Sequence, residues 1–527
     1  MIRIRQILID VNEYTFDKLK DRICSRLKIS DLDLTGFSIS KQSIDARRKD
    51  KVYYVFEVDV SLENEEIILN RNKDKDIFLT PYEEYELCSH GDKVMKYRPV
   101  VVGSGPAGLF CAYMLLEAGF KPIVIERGKA IDERVKCVND FWNGEALDLN
   151  TNVQFGEGGA GTFSDGKLNT LVKDKKFRMK KVFSTFCKYG ALDEIMYMNG
   201  PHIGTDKLRE IIKNMRIDMI NRGATFKYES CLTDLVINDG KITGIVINND
   251  YKLDCDTLVL CTGHSARDTF RMLYDRGVNM ESKPFAVGVR VSHPQEMINI
   301  NQYGDYHKKL KPASYKLSYT ASNGRGVYSF CMCPGGYVVD SSSFNEMLVV
   351  NGMSNYARES KNANSAIVVS VSSEDFGSGV FAGMEFQEKL EKLTYDACGG
   401  KIPVSLYRDF VNNKKSISFG DVLPVVKGSY DFYNLNDILP SYICESLKEG
   451  ISYFERKIPG FSRGDALLFG TETRTSSPVR IVRDDGFQSN IKGVYPCGEG
   501  AGYAGGITTS AMDGIKVAEA IISMYSL

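Results

Sequence analysis

Residues 99–126 read PVVVGSGPAGLFCAYMLLEAGFKPIVIE. A short apolar strand runs straight into Gly103, Gly105 and Gly108, and the helix that follows carries Leu109, Ala112, Leu115 and Leu116 before it stops at Gly119. A second apolar strand then ends on Glu126. In that context each glycine has a physical task. The first allows a tight turn, the second lets backbone approach a pyrophosphate, and the third lets helix and strand pack closely. The helix start at Pro106 and Ala107 offers unpaired N–H groups to phosphate. Glu126 stands near the expected distance for an acid that binds a ribose hydroxyl, and Arg127 follows it in the same site. The GxGxxG spacing recurs at Gly156, Gly158 and Gly161 and at Gly500, Gly502 and Gly505, but neither repeat opens a strand–turn–helix–strand unit with an acid at its end. Adenosine-dinucleotide binding is therefore assigned to the first.

Outward from this unit, the chain of 527 residues is long enough for two to four domains. Lys plus Arg total 67 against 68 for Asp plus Glu, so no global charge bias draws it to nucleic acid or an anionic membrane. The N-terminus lacks the apolar core of a signal peptide, and no apolar run is long enough to span a bilayer, so the chain reads as soluble and cytoplasmic. Thirteen cysteines without CxxC or paired Cys/His spacing argue against a disulfide framework and against a metal site.

Residues 1–96 read as a small α+β module, half of a ferredoxin-like unit, with the polar stretch NRNKDKD as linker into the main body. Its loop SIDARRKDK groups Arg47, Arg48, Lys49 and Lys51, which either contact an acidic partner or are simply solvated. Residues 97–283 form the first part of a Rossmann-like domain. Thr205 is expected to cap a helix that stops at Gly223, and three strands follow, with a tight turn at Asp239-Gly240. The buried strand TLVLCTG comes next. Residues 284–460 change to strands such as FAVGVRVS and AIVVSVS and read as an inserted, mainly antiparallel α+β substrate domain; residues 461–527 return to the first domain.

The order of these segments, ending in Thr262-Gly263, resembles the FAD-binding domains of the glutathione-reductase-like flavoprotein superfamily. The C-terminal segment KGVYPCGEGAGYAGGITTSAMDGIKVAEAII extends that resemblance. Together with NVQFGEGGAGTFSDGKLNT, GPHIGTDKL, CTGHSARDTF, SFCMCPGGYVV and ETRTSSPVRI, it makes nearly the whole chain similar to a bacterial family described as FAD-dependent, or NAD(FAD)-utilising, dehydrogenases. The resemblance implies FAD as cofactor. It places Leu232, Thr262, Gly263 and Gly498 beside the cofactor, puts an acid at the ribitol where this chain has Glu499, and points a helix start formed by Gly505, Gly506, Ile507 and Thr508 at the flavin. A helix N-terminus there would stabilise negative charge on reduced flavin.

Several sites keep two readings. The glycine-rich run 154–170 wraps the cofactor through Gly158, Gly159 and Gly161, with Thr162 and Ser164 adding hydroxyls, or it is a surface loop. Cys331 and Cys333, two apart in a strand and expected on one face, are a redox pair or free buried thiols. Arg474 and Arg480 receive a substrate anion or pair with acids in the domain seam. His264 and His202 are proton-transfer candidates or structural. The expected function is an FAD-dependent oxidoreductase acting on a small molecule, with NADH or NADPH as a transient electron donor. The alternatives are a flavin-dependent RNA-modifying enzyme and a non-catalytic flavin-bound redox sensor. No nucleic-acid or membrane partner is expected, and nothing in the sequence fixes the oligomeric state.

Overall fold

The computed structural model describes residues 1–170 and 172–527. The N-terminal module is a complete βαββαβ unit rather than half of one. Strands Ile2–Asp10, Leu34–Asp45, Tyr53–Leu62 and Ile77–Leu79 form one antiparallel sheet, with the first strand between the third and fourth. Buried Ile2, Ile4, Ile7 and Ile9 meet Leu19, Ile23 and Leu27 of the Phe16–Leu27 helix. The stretch expected as a linker lies inside this unit, because its polar side chains fold it into turns. Asn72 accepts from Asp74 N at 3.1 Å, Asp74 accepts from Asp76 N at 3.0 Å, and Arg26 reaches Asp74 at 2.6 Å. The connection to the main body is instead a strap over the last helix, where Tyr85 bonds Glu519 at 3.1 Å and Gly91 N bonds Ile522 O at 3.0 Å, and over the end of the helix Pro106–Glu117, where His90 bonds Ala118 O at 2.8 Å.

The main body holds a five-stranded parallel sheet in the spatial order Val494–Pro496, Leu258–Leu260, Val100–Val102, Ile123–Ile125, Thr225–Lys227. Strands buried on both faces are uniformly apolar, as the first four of these are, while the edge strand Thr225–Lys227 is half-buried and carries Thr225 and Lys227. The helices Pro106–Glu117, Thr205–Asn221 and Ile507–Ile522 cover one side with Phe110, Leu115, Ile211, Met215 and Ile515, all at most 1% exposed. On the other side lies a three-stranded meander, Leu232–Asn238, Lys241–Ile247 and Tyr251–Asp254. Its first hairpin turns on Asp239 and Gly240, both with positive φ, the conformation that tight hairpin turns require.

Between the parallel strands Leu258–Leu260 and Val494–Pro496 the chain builds a seven-stranded, mostly antiparallel sheet centred on Asn362–Val371, Phe285–Pro294 and Leu467–Glu472. The last of these lies beyond the expected boundary at residue 460. It belongs to this sheet because Leu467, Leu468 and Phe469, fully buried, pair with both Phe285–Pro294 and Ile402–Leu406. Among the described residues, no helix is long and apolar enough to cross a membrane.

Candidate active-site cleft

A cleft of about 570 Å³ opens at the C-terminal ends of the parallel strands, the edge at which open parallel sheets bind ligands. The residues that follow four of those strands line it: Gly103, Glu126, Thr262 and Glu499. The opposite wall comes from the seven-stranded sheet, through Phe330, Met332 and Glu472.

The glycine turn divides its labour as its spacing implies. A Cβ on Gly103 would stand 2.3 Å from Cys261 O, and one on Gly108 would stand 1.9 Å from Gly103 O, so both positions are closed by backbone. At Gly105 the nearest atom is Gly159 Cα at 3.7 Å, and this position faces the cleft. Gly105 precedes the Pro106–Glu117 helix, whose first intrahelical donor is Leu109 N, on Gly105 O. The N–H groups of Ala107 and Gly108 are thus left for a ligand. Glu126 is 6% exposed and accepts from Ser104 N, Ser104 Oγ, Gly128 N and Gly156 N. Arg127 lies over the Phe155 ring at 4.4 Å and pairs with Asp268.

The glycine-rich run folds back over that turn. Gly158 N bonds Ser104 O at 2.9 Å, and a Cβ on Gly159 would sit 3.1 Å from Gly105 Cα. Gly159, Gly161 and Ser164 line the cleft, whereas Gly158 and Thr162 do not. Thr162 is wholly buried and takes a bond from Arg134 at 2.7 Å. Arg134 escaped the sequence reading. It is fully buried and donates to the carbonyls of Asn152, Val153, Gly156, Glu157 and Gly159, so it sets the shape of the run. The one signal was an arginine on the apolar face of the helix Ile131–Trp142.

At the far end of the cleft the helix Ile507–Ile522 starts from Gly506, with Gly505, Gly506 and Ile507 in the wall. Its first intrahelical donor is Ser510 N, on Gly506 O, which leaves the N–H groups of Ile507, Thr508 and Thr509 without intrahelical partners. Thr508 turns its hydroxyl away, to Leu168 O at 2.8 Å. Gly498 lies behind the wall, its Cβ position 2.6 Å from Ala107 Cβ, and its N–H is held by Asp513 at 2.8 Å. Asp513 and Gly514, the latter pressed against Ala107 O, were also missed. Burial pushes the Glu499 carboxyl up to about 7, against the opposing pull of Lys283. Leu232 and Gly263 complete the lining, and Thr262, also in the wall, leaves its hydroxyl without a partner.

The proton-transfer and anion candidates separate. His264 lines the cleft, bonds Ser265 Oγ at 3.0 Å, and is pushed down to about 4 by burial and by the cations Arg474 and Arg267. It is neutral at pH 7 and offers a hydrogen bond rather than a proton. His202 is outside the cleft, stacked on Tyr356 at 5.4 Å and bonded to Tyr356 O. Arg474 reaches the cleft, but its guanidinium is held by Glu391 at 2.7 Å, as is that of Arg267 at 2.8 Å. Burial alone would raise Glu391; the two arginines bring it down to about 2. Arg480 lies elsewhere, on Glu281 at 3.0 Å. The two arginines thus make no joint anion site.

Cys331 and Cys333 do not share a face. A bulge between Phe330 and Cys333 breaks the strand's alternation, and Cys331 takes a positive φ of 41°. Cys331 is exposed, whereas Cys333 is buried, and burial pushes the Cys333 thiol up to about 11. In the N-terminal loop Arg47 pairs with Asp45, Arg48 with Asp50, and Lys49 bonds Gln302 O.

The cleft suits an adenosine dinucleotide with a flavin end. Two helix starts present free N–H groups to it, Thr262 holds an unpartnered hydroxyl beside it, and an added Cβ at Gly263, Gly505 or Gly506 would meet no protein atom within 4 Å. Residues 284–475 match a domain described as "FAD-dependent protein, C-terminal domain-like", and residues 1–61 match a domain of unknown function. The chain is 22% identical over 173 residues to a ribosomal RNA dihydrouridine synthase of Haemophilus influenzae, covering 31% of this chain and 39% of that one. Among solved structures, glycine oxidase from Bacillus cereus is 13% identical with a TM-score of 0.31, covering 81% of this chain and 95% of that chain. L-Proline dehydrogenase from P. horikoshii is 12% identical with a TM-score of 0.33, covering 81% and 92%. Finally, 48% identity over 533 residues links the chain to an uncharacterized protein of Clostridium beijerinckii, covering 100% of this chain and 99% of that one. The chain belongs to the same family as that protein, and its matching domain makes it FAD-dependent.

Proposed function

We propose that the protein is an FAD-dependent oxidoreductase of glutathione-reductase-like build, acting on a small organic substrate held between the flavin and the seven-stranded sheet. One observation carries this reading: the helix starts at Pro106 and Ile507, far apart in sequence, open onto a single cleft with Glu126 at one end and the inserted sheet as its opposite wall. Bound FAD supplies two-electron redox chemistry. The chain's residues do the rest. Ala107 and Gly108 N–H groups receive the diphosphate, Glu126 the adenosine ribose, and Thr262 a neighbouring polar atom. The N–H groups of Ile507 to Thr509 stabilise negative charge at the flavin's pyrimidine end. His264, neutral, orients a ligand by hydrogen bonding. NADH or NADPH then acts as a transient electron donor. Anaerobic mixing of the yellow protein with NADH and with NADPH tests this: bleaching by either supports it, and a flavin that neither these nor any screened organic donor reduces points to a sensor.

A second reading, action on RNA, draws on the similarity to the Haemophilus ribosomal RNA dihydrouridine synthase. It requires salt-dependent RNA binding that falls when Arg47, Arg48 and Lys49 are neutralised together. Binding that is absent, or unchanged in that variant, removes the role of the loop.

A further inference from the structure

The substrate end of the cleft carries an unbalanced positive charge. Four carboxylates line the cleft: Glu126, Asp165, Glu472 and Glu499. The two beside the inserted sheet are neutralised, Asp165 by Arg358 and Glu472 by Arg290 at 2.7 Å. Lys167 and Lys316 line the same end, and among the described residues neither has a carboxylate partner. Their positions are linked through one strand. Lys167 donates its ammonium to Met332 O, and Leu317, next to Lys316, exchanges hydrogen bonds with Ser329, next to Phe330. Lys167 is thus tied to residue 332 while the backbone of Lys316 runs beside residue 330, so the two lysines flank the segment 330–332 from its two ends. Between them the wall is largely apolar, made by half-buried Phe330, exposed Cys331 and buried Met332.

Resting on the reading of this cleft as the flavin site, we infer that its substrate is a flat, largely apolar molecule bearing an anionic group, a carboxylate or a phosphate, received by Lys167 and Lys316. An ammonium with free donors beside an apolar wall favours such a ligand over its neutral isostere, because the anion gains charge-assisted hydrogen bonds where water is partly excluded. Asp165 and Glu472 do not compete, since each is already paired with an arginine.

The test titrates the yellow holoprotein with benzoate, phenyl phosphate and benzamide and follows the perturbation of the visible flavin band. Benzoate or phenyl phosphate is expected to bind at least about tenfold more tightly than benzamide, as one charge-assisted hydrogen bond implies. The tighter of the two anions identifies the group. Lys316→Gln, an exposed position, should lose about tenfold for the anion and nothing for benzamide, with Lys167→Gln as the second variant. Benzamide binding as tightly as both anions, or anion affinity unchanged in both variants, overturns the inference while leaving the flavin site intact. A protein that takes up no FAD overturns the inference and the reading beneath it together.

Discussion

Ser104 donates both its backbone N–H and its hydroxyl to one oxygen of Glu126, at 2.9 and 2.8 Å. The other oxygen receives Gly128 N and Gly156 N, at 3.1 and 3.0 Å. A single carboxylate thus joins the glycine turn, the end of the next strand and the glycine-rich run, while keeping a face on the cleft. Glu126→Ala leaves three backbone donors without their acceptor, at a cost of about 3 kcal/mol or more. The variant should melt earlier and purify with little flavin, and Glu126→Arg should retain none. Unchanged flavin-to-protein absorbance ratios in both would remove the ribose assignment.

Gly505 offers a cleaner probe of the far end. Its φ lies outside the strained region, an added Cβ would meet no protein atom within 4 Å, and the residue lines the cleft. Gly505→Val should leave the thermal stability of the FAD-free protein within about 0.5 kcal/mol of wild type, as a change in open space does, and should weaken FAD binding at least about tenfold by filling cofactor space. Calorimetric titration of the stripped protein with FAD measures it.

Arg134 should behave in the opposite way. Replacing it by Met strips five carbonyls of their donor in a buried run, so stability should fall by about 3 kcal/mol or more, as buried acceptors left unsatisfied cost, and flavin should be lost as a consequence. Denaturant unfolding of the FAD-free variant separates this effect from that of Gly505→Val, which acts on the cofactor alone.

Glu499 gives a pH signature. Its folded pKa, about 7, lies above the ordinary 4.5. Between those values the folded protein holds a proton that the unfolded chain has released, so stability falls as pH rises through this window and levels off above it. Glu499→Gln removes that dependence. The variant's melting temperature should exceed that of wild type at about pH 8 and match it at about pH 4. A difference that does not change across this range contradicts the assignment. His264, pushed down from 6.5 to about 4, acts in the opposite sense: between those values the unfolded chain holds a proton that the folded protein lacks, so its contribution raises stability as pH rises through that window, and only the difference between wild type and Glu499→Gln isolates the glutamate.

What the sequence made legible is the part in which backbone geometry dictates residue type. Gly103, Gly105, Gly108 and the acid at Glu126 sit where their spacing implied, and so do the helix starts at Pro106 and Ile507. Side chains that act on partners distant in sequence were harder to see. Arg134 looks like any helix cation until the run 152–159 folds over it, and Asp513 shows its role only once Gly498 is beside it. Alternation placed Cys331 and Cys333 on one face, but a bulge, invisible to a period-two reading, parts them. The fourth strand of the N-terminal unit, Ile77–Leu79, was hidden by its brevity and by the charged residues that turn into it.

One cofactor is proposed to join the two helix starts. The most direct test is to strip the purified protein, add FAD, remove the excess and measure the visible spectrum and flavin content of wild type beside Gly505→Val and Glu126→Arg. A yellow wild type with a single FAD per chain, and variants altered at either end that both come off the column nearly colourless, is the result expected. A wild type that stays colourless, or flavin held equally by all three, would contradict it.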